Sequence, residues 1–170
     1  YREAETEFRL ALDSATQLRS ALLQARILNN LARAQMLRGH YADAQQSIER
    51  GLRLSARPDA AGWHPILLAT AAELAFKQGH EQEAVRLVGE AFAGTDLKAT
   101  TEDYREAHRA AYLAYKAVGN VSQAMAHLEA FTRLDNKARA LSASTNAALM
   151  AARFDFANQD LRIAKLKAGQ

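Results

Sequence analysis

Every 40 residues this chain repeats itself. Gly39, Gly79 and Gly119 stand at that interval; Ala44, Ala84 and Ala124 follow their glycines by five residues, and Ile48, Val88 and Leu128 follow by nine. A unit repeated at fixed spacing cannot bury its apolar face alone and does so by stacking on its neighbours. Carried backwards, the register sets Tyr1, Ala4, Phe8 and Ala11 where Tyr41, Ala44, Ile48 and Gly51 stand, so the chain is expected to begin midway through a unit.

The spacing within each unit is helical. Phe8, Ala11, Leu12, Ala15 and Leu18 recur at three- and four-residue steps and predict a helix over residues 1–20. Leu28, Leu31, Ala32 and Gln35 form the stripe of a second helix over about 22–38, which Gly39 ends by accepting a left-handed backbone. Partner helices are expected over about 41–54, 65–78, 81–93, 101–118 and 121–134. Linkers are expected at 56–62, with Pro58 and Gly62, and at 94–99. Pro65 suits a first helical turn, and Thr100 with Asp103 resembles a capping box. Trp63, beside the first linker, is expected to pack between units.

These hairpins resemble tetratricopeptide (TPR) repeats. The resemblance rests on Leu28, Leu31, Ala32, Gln35, Gly39, Tyr41, Ala44, Ile48 and Gly51. It continues in Leu68, Ala71, Ala72, Ala75, Gly79, Glu81, Ala84, Val88 and Ala91, and in His108, Ala111, Tyr112, Tyr115, Gly119, Val121, Ala124, Leu128 and Phe131. The 40-residue period is longer than the family's, which is about 34. The resemblance implies an all-α fold, an α-α superhelix of antiparallel helix pairs over residues 1–134, with a long capping helix over 135–170.

The pattern changes after residue 134. No glycine or proline occurs between Val121 and Ala168, and Gln159 stands where the next glycine falls due. One long helix is expected over about 138–168, its first half capping the array with Leu141, Ala148 and Leu149. Leu149, Phe156 and Ile163 are spaced by seven, as are Phe154, Leu161 and Ala168, which suits pairing with the helix of a second copy. The segment Arg153–Gln170, following a TPR array, resembles the region before a transmembrane helix in bacterial membrane-anchored signalling proteins, commonly diguanylate cyclases with a GGDEF output domain. That resemblance implies a sensor in the periplasmic portion of an inner-membrane protein, with a membrane span and output domain beyond Gln170. The alternative is a soluble cytoplasmic TPR adaptor that binds a peptide or protein tail.

Charge narrows the partners. The net charge is +3, and all of it falls after residue 133, where six Lys/Arg face three Asp/Glu; the repeats carry equal numbers of each sign. Phosphate binding needs clustered, unpaired bases, so no nucleic-acid partner is expected. The chain has no cysteine and no apolar run long enough to cross a bilayer. Nucleophile-elbow, phosphate-loop, zinc-protease and dinucleotide motifs are absent, so no catalytic residue and no cofactor is expected.

No metal site is expected either. His40 and His80, one period apart, should be separated by about 8–10 Å, too far to share an ion at about 2 Å from each ligand. His108 falls at a core position, while His64 and His127 have no companions at ligand spacing. Glu102, Asp103 and Glu106 are expected to complement the positive end of a helix.

The candidate site is the groove lined by the first helix of each hairpin. Positions ten, six and three residues before the glycines are Asn29, Arg33 and Met36; Ala69, Glu73 and Phe76; and Arg109, Leu113 and Lys116. Arg26 and Asn30 extend this face by one turn. Arg26, Asn29 and Arg33 are candidates to grip a carboxylate or peptide terminus by charge-assisted hydrogen bonds, in partial resemblance to the carboxylate clamp of chaperone-associated TPR domains. The full candidate set is Arg26, Asn29, Asn30, Arg33, Glu73, Phe76, Arg109 and Lys116.

Overall fold

A computed structural model describes the backbone of residues 2–168 and most side chains up to residue 159. Those residues form seven α-helices: α1 (Arg2–Gln17), α2 (Ala21–Leu37), α3 (Tyr41–Ser55), α4 (His64–Lys77), α5 (Glu81–Ala91), α6 (Arg105–Ala117) and α7 (Val121–Ala168). Short 3-10 turns at Pro58–Trp63 and Glu102–Tyr104 lead into α4 and α6. The chain divides into two units, residues 1–132 and 133–170.

Each periodic glycine closes a helix in the same way. Gly39, Gly79 and Gly119 have φ of 76°, 80° and 74°. The amide after each donates back to the carbonyl five residues earlier: His40 to Gln35, His80 to Ala75 and Asn120 to Tyr115, each at 2.9 Å. This Schellman closure satisfies carbonyls left open at the helix end and needs a left-handed residue, which glycine adopts without a Cβ clash. A fourth turn of the same kind joins α1 to α2, where Ser20 donates to Ala15 and the left-handed residue is Arg19, φ 52°. With no glycine to mark this turn, the expected end of the first helix, residue 20, falls three residues past the observed Gln17.

Small residues let the helices of a hairpin approach. Ala44 and Ala84 are fully buried and Ala124 nearly so, with Ile48 and Val88 buried one turn later. Leu128, their counterpart on α7, is half-buried. Beyond each hairpin, α4 packs on both α2 and α3, and α6 on both α4 and α5. One core cluster joins Leu68, Ala72 and Ala75 of α4 to Val88 of α5 and to Ala107, Ala111 and Ala114 of α6. Trp63 packs beside Ala21, Ala25, Ala60 and Leu67, between α2 and the start of α4.

Three expectations are corrected. On α1 the buried side chains are Glu5, Leu12 and Ala15, while Ala11 and Leu18 are exposed. Leu18 has left the helix for the turn, and Glu5 is held inside by Arg9 and Arg38. No break separates 121–134 from 138–168: α7 runs unbroken, and an Asp135–Arg139 ion pair of 2.7 Å, one helical turn apart, crosses the expected gap. Leu141, Ala148 and Leu149, expected to be buried as a cap, are exposed. The side chains of Leu161, Ile163 and Ala168, which complete the seven-residue spacings, lie outside the described residues, as do Tyr1 and Gln170.

Candidate functional site

The candidate face consists of charges already paired with one another. Arg33 on α2 donates from Nη2 to Glu106 Oε2 on α6 at 2.6 Å, and its Nε stands 3.8 Å from Glu73 Oε2 on α4. Arg109 on α6 donates to Glu73 Oε1 at 2.9 Å and to Glu106 Oε2 at 2.8 Å. Two guanidinium groups and two carboxylates thus tie together helices from three consecutive hairpins. Burial pushes the Glu106 carboxyl up, but Arg33 and Arg109 outweigh it and hold it below the usual range. Burial pushes Arg109 down, and Glu73 and Glu106 outweigh that in turn.

The other predicted residues fall at different depths. Asn29 is buried, with Oδ1 accepting from Thr70 Oγ1 at 2.7 Å, so it joins α2 to α4 beneath the face. Met36 and Ala69 are also buried. Phe76 is half-buried against the core cluster of α4, α5 and α6. Arg26 is exposed and Asn30 half-buried. Lys116 is exposed, its ammonium 5.5 Å from the centre of the Tyr112 ring, a cation–π distance. Of the proposed clamp, Arg26 faces solvent while Arg33 and Asn29 are engaged within the protein.

Glu106, read from the sequence as a complement to the helix end, is a member of the network. A signal for it exists: Glu106 and Arg109 are three apart on one helix, and Glu73 and Arg33 sit at the same distance before successive glycines. Stacking sets these charges side by side.

A second polar cluster lies inside the last hairpin. His108 on α6 and His127 on α7 are buried, their Nδ1 atoms 2.9 Å apart. Thr100 Oγ1 is 2.8 Å from His108 Nε2 and also donates to the Leu97 carbonyl at 2.9 Å. Phe92 packs on both imidazoles, with ring centres 4.7 and 4.5 Å away, and Tyr115 stacks on His127 at 5.6 Å. Burial pushes His127 down to about 4. His108 is the satisfied core histidine expected, and His127 is its hydrogen-bond partner. Thr100 serves this pair, and the residue before the 3-10 turn is Thr101, which makes no side-chain cap.

Among the described residues, Glu5, His40 and Asp43 bring ligand-type atoms within 4.8 Å of one another. Glu5 already accepts from Arg9 at 2.9 Å and from Arg38, and the Arg9 hydrogen bond leads the causes that hold its carboxyl below the usual range. A cation there would compete with two guanidinium groups for one carboxylate. No helix among the described residues is long and apolar enough to cross a membrane.

No protein-family model, curated protein or solved structure matches this chain.

Proposed function

We propose that this chain is a non-catalytic binding and sensing module of the tetratricopeptide type. In this reading it is the periplasmic sensor of a bacterial membrane-anchored signalling protein whose output domain is a GGDEF diguanylate cyclase. The carrying observation is the ionic network of Arg33, Glu73, Glu106 and Arg109, which joins α2, α4 and α6 through one half-buried face. A protein or peptide that presents a carboxylate to Arg33 or Arg109 competes with Glu73 and Glu106 for the same donors. Binding then changes the contacts of three hairpins together, which supplies the unequal affinity for two states that a sensor requires. Arg26 and Lys116 extend the face with positive charge that is not spent on an internal ion pair.

Two further observations support the reading. Schellman turns at a strict 40-residue interval make each hairpin a copy of the last, as a superhelical array requires. The second helix of the final hairpin is 48 residues long, which suits passing a conformational change along one continuous element.

Reading the coding sequence beyond codon 170 tests the proposal. An apolar stretch of about 20 codons followed by a GGDEF domain is the expected result. A stop codon soon after Gln170 overturns the membrane-signalling reading and leaves a soluble adaptor that uses the same face.

A further inference from the structure

His127 has one ring nitrogen engaged and one to spare. Its Nδ1 meets His108, no group among the described residues bonds Nε2, and the residue is only 1% exposed. The same ring lines a surface pocket of ≈ 460 Å3, whose walls include Gly89, Phe92, Thr95, Tyr115 and Gln123. With Nδ1 committed to His108, Nε2 is the nitrogen left for an occupant. The described residues hold no buried side-chain nitrogen or oxygen without a partner, so the unbonded Nε2 keeps some exposure where the ring borders a cavity of ligand size.

The hydrogen-bond chain behind His127 sets what Nε2 offers. A hydroxyl has one hydrogen, and Thr100 gives its own to the Leu97 carbonyl. Thr100 therefore accepts from His108 Nε2–H, which leaves His108 Nδ1 as an acceptor. His127 must then donate from Nδ1, so its Nε2 carries a lone pair. This assignment follows from the network and makes the ring nitrogen left for an occupant a hydrogen-bond acceptor.

The walls set the rest of the chemistry. Phe92 and Tyr115 supply aromatic surface, Thr95 and Gln123 supply neutral polar groups, and no Lys, Arg, Asp or Glu lines the pocket. A cationic occupant finds no countercharge there. An anionic one would need an imidazolium, which burial disfavours.

We propose that this pocket binds a small uncharged aromatic molecule that donates an O–H or N–H to His127 Nε2. The site shares no residue with the Arg33–Glu73 face and does not depend on the function proposed above. Phenol is the simplest probe of that chemistry, with anisole, which lacks the O–H, and benzoate, which is charged, as its controls.

The experiment is a titration of the full chain, labelled with 15N at histidine, followed through the His127 Nε2 resonance. Phenol is expected to shift that resonance saturably, with anisole and benzoate at least about tenfold weaker, the loss expected for one hydrogen bond. His127→Phe removes the acceptor and should abolish saturable binding, read by phenol line broadening. Because that variant also strips His108 of its partner, Gly89→Leu provides a second route. A Cβ at position 89 meets Tyr115 Oη at 3.8 Å, an ordinary contact, so the longer side chain fills the pocket and leaves the histidine pair in place. Gly89→Leu should weaken phenol at least about tenfold. The proposal is overturned if phenol gives no saturable shift, if anisole binds as well as phenol, or if Gly89→Leu binds phenol unchanged.

Discussion

Arg19 occupies a backbone position that its three counterparts fill with glycine. At φ 52° its Cβ crowds the following carbonyl, a conformation that costs about 1–2 kcal/mol for an L side chain. Glycine gives back part of that gain through its freedom in the unfolded chain. Arg19→Gly is therefore expected to stabilise the protein by about 0.5–1 kcal/mol, read as a higher urea midpoint at unchanged slope. An unchanged or lower midpoint would show that the Arg19 side chain contributes something in this turn that its backbone geometry does not reveal.

His127 ties stability to pH with a definite sign. Its folded pKa of about 4 lies below its ordinary 6.5, so between those values the unfolded chain binds a proton that the folded chain refuses. Stability is fully present above pH 6.5 and falls as pH drops towards 4, by up to about 3 kcal/mol across that window. The residues around the ring, His108, Phe92 and Tyr115, supply no carboxylate to offset the loss. Glu5 and Glu106, whose folded pKa values are depressed, add their own losses only as pH falls below the ordinary glutamate range. Urea denaturation at a series of pH values from 7.5 to 4 checks this, and a flat profile between 6.5 and 5 would refute it.

At the scale of the element, two helical glycines should respond in opposite directions to the same change. Gly51 on α3 has Leu67 Cδ2 only 2.7 Å from where a Cβ would stand, and Leu67 is fully buried. Gly51→Ala should therefore cost about 1–2 kcal/mol through overpacking, more than its helix-propensity gain. Gly89 on α5 has only Tyr115 Oη at 3.8 Å, so Gly89→Ala should stabilise by about 0.5–1 kcal/mol. Thermal unfolding of the two variants side by side reads the contrast. The alignment of Gly51 with Ala91 and Phe131 gave no hint of it, because the difference lies in the neighbouring helix.

The ionic network belongs to this scale as well. Arg109→Met leaves the buried Glu73 with only Arg33 Nε at 3.8 Å, and should cost about 1–3 kcal/mol. Pairing that change with Glu73→Met should recover part of the loss, since the unpaired buried carboxylate is then gone. A double-mutant cycle measured by urea denaturation decides it, and strict additivity would mean that the two residues do not couple.

For the whole molecule, the apolar surface of α7 predicts self-association. Leu141, Leu149, Met150, Phe154 and Phe156 are each more than half exposed, and Leu149 and Phe156 are seven residues apart. Large apolar side chains gathered on one helix mark a contact surface, and the seven-residue spacing suits the same helix of a second copy. Sedimentation equilibrium should give a dimer for the chain and a monomer for Leu149→Glu combined with Phe156→Glu. Equal masses for the two would rule out this surface as the interface.

Much of the helical outline was legible because it depends on neighbours along the chain. Glycines at a fixed interval, alanines five residues later and three-to-four-residue apolar steps each follow from local geometry. They located the ends of α2, α4 and α6 and the buried positions of α3 and α5. The end of α1 was placed late, at residue 20, because a non-glycine residue, Arg19, fills the glycine role in the turn. The break expected between 134 and 138 does not exist, because no glycine or proline there interrupts α7. The groove residues were named from their register alone, but register carries no information about which partner a charge will meet.

By itself, then, the sequence determined the all-helical class, the turns at Gly39, Gly79 and Gly119 and the buried positions of α3 and α5, since backbone sterics and helical periodicity act over a few residues. Only the tertiary structure decided that Arg33 is paired with Glu106 and Glu73, that Asn29 lies beneath the face bonded to Thr70, and that His127 meets His108 beside a pocket. Those contacts join residues 19 to 73 positions apart, and their geometry exists only once the helices have packed.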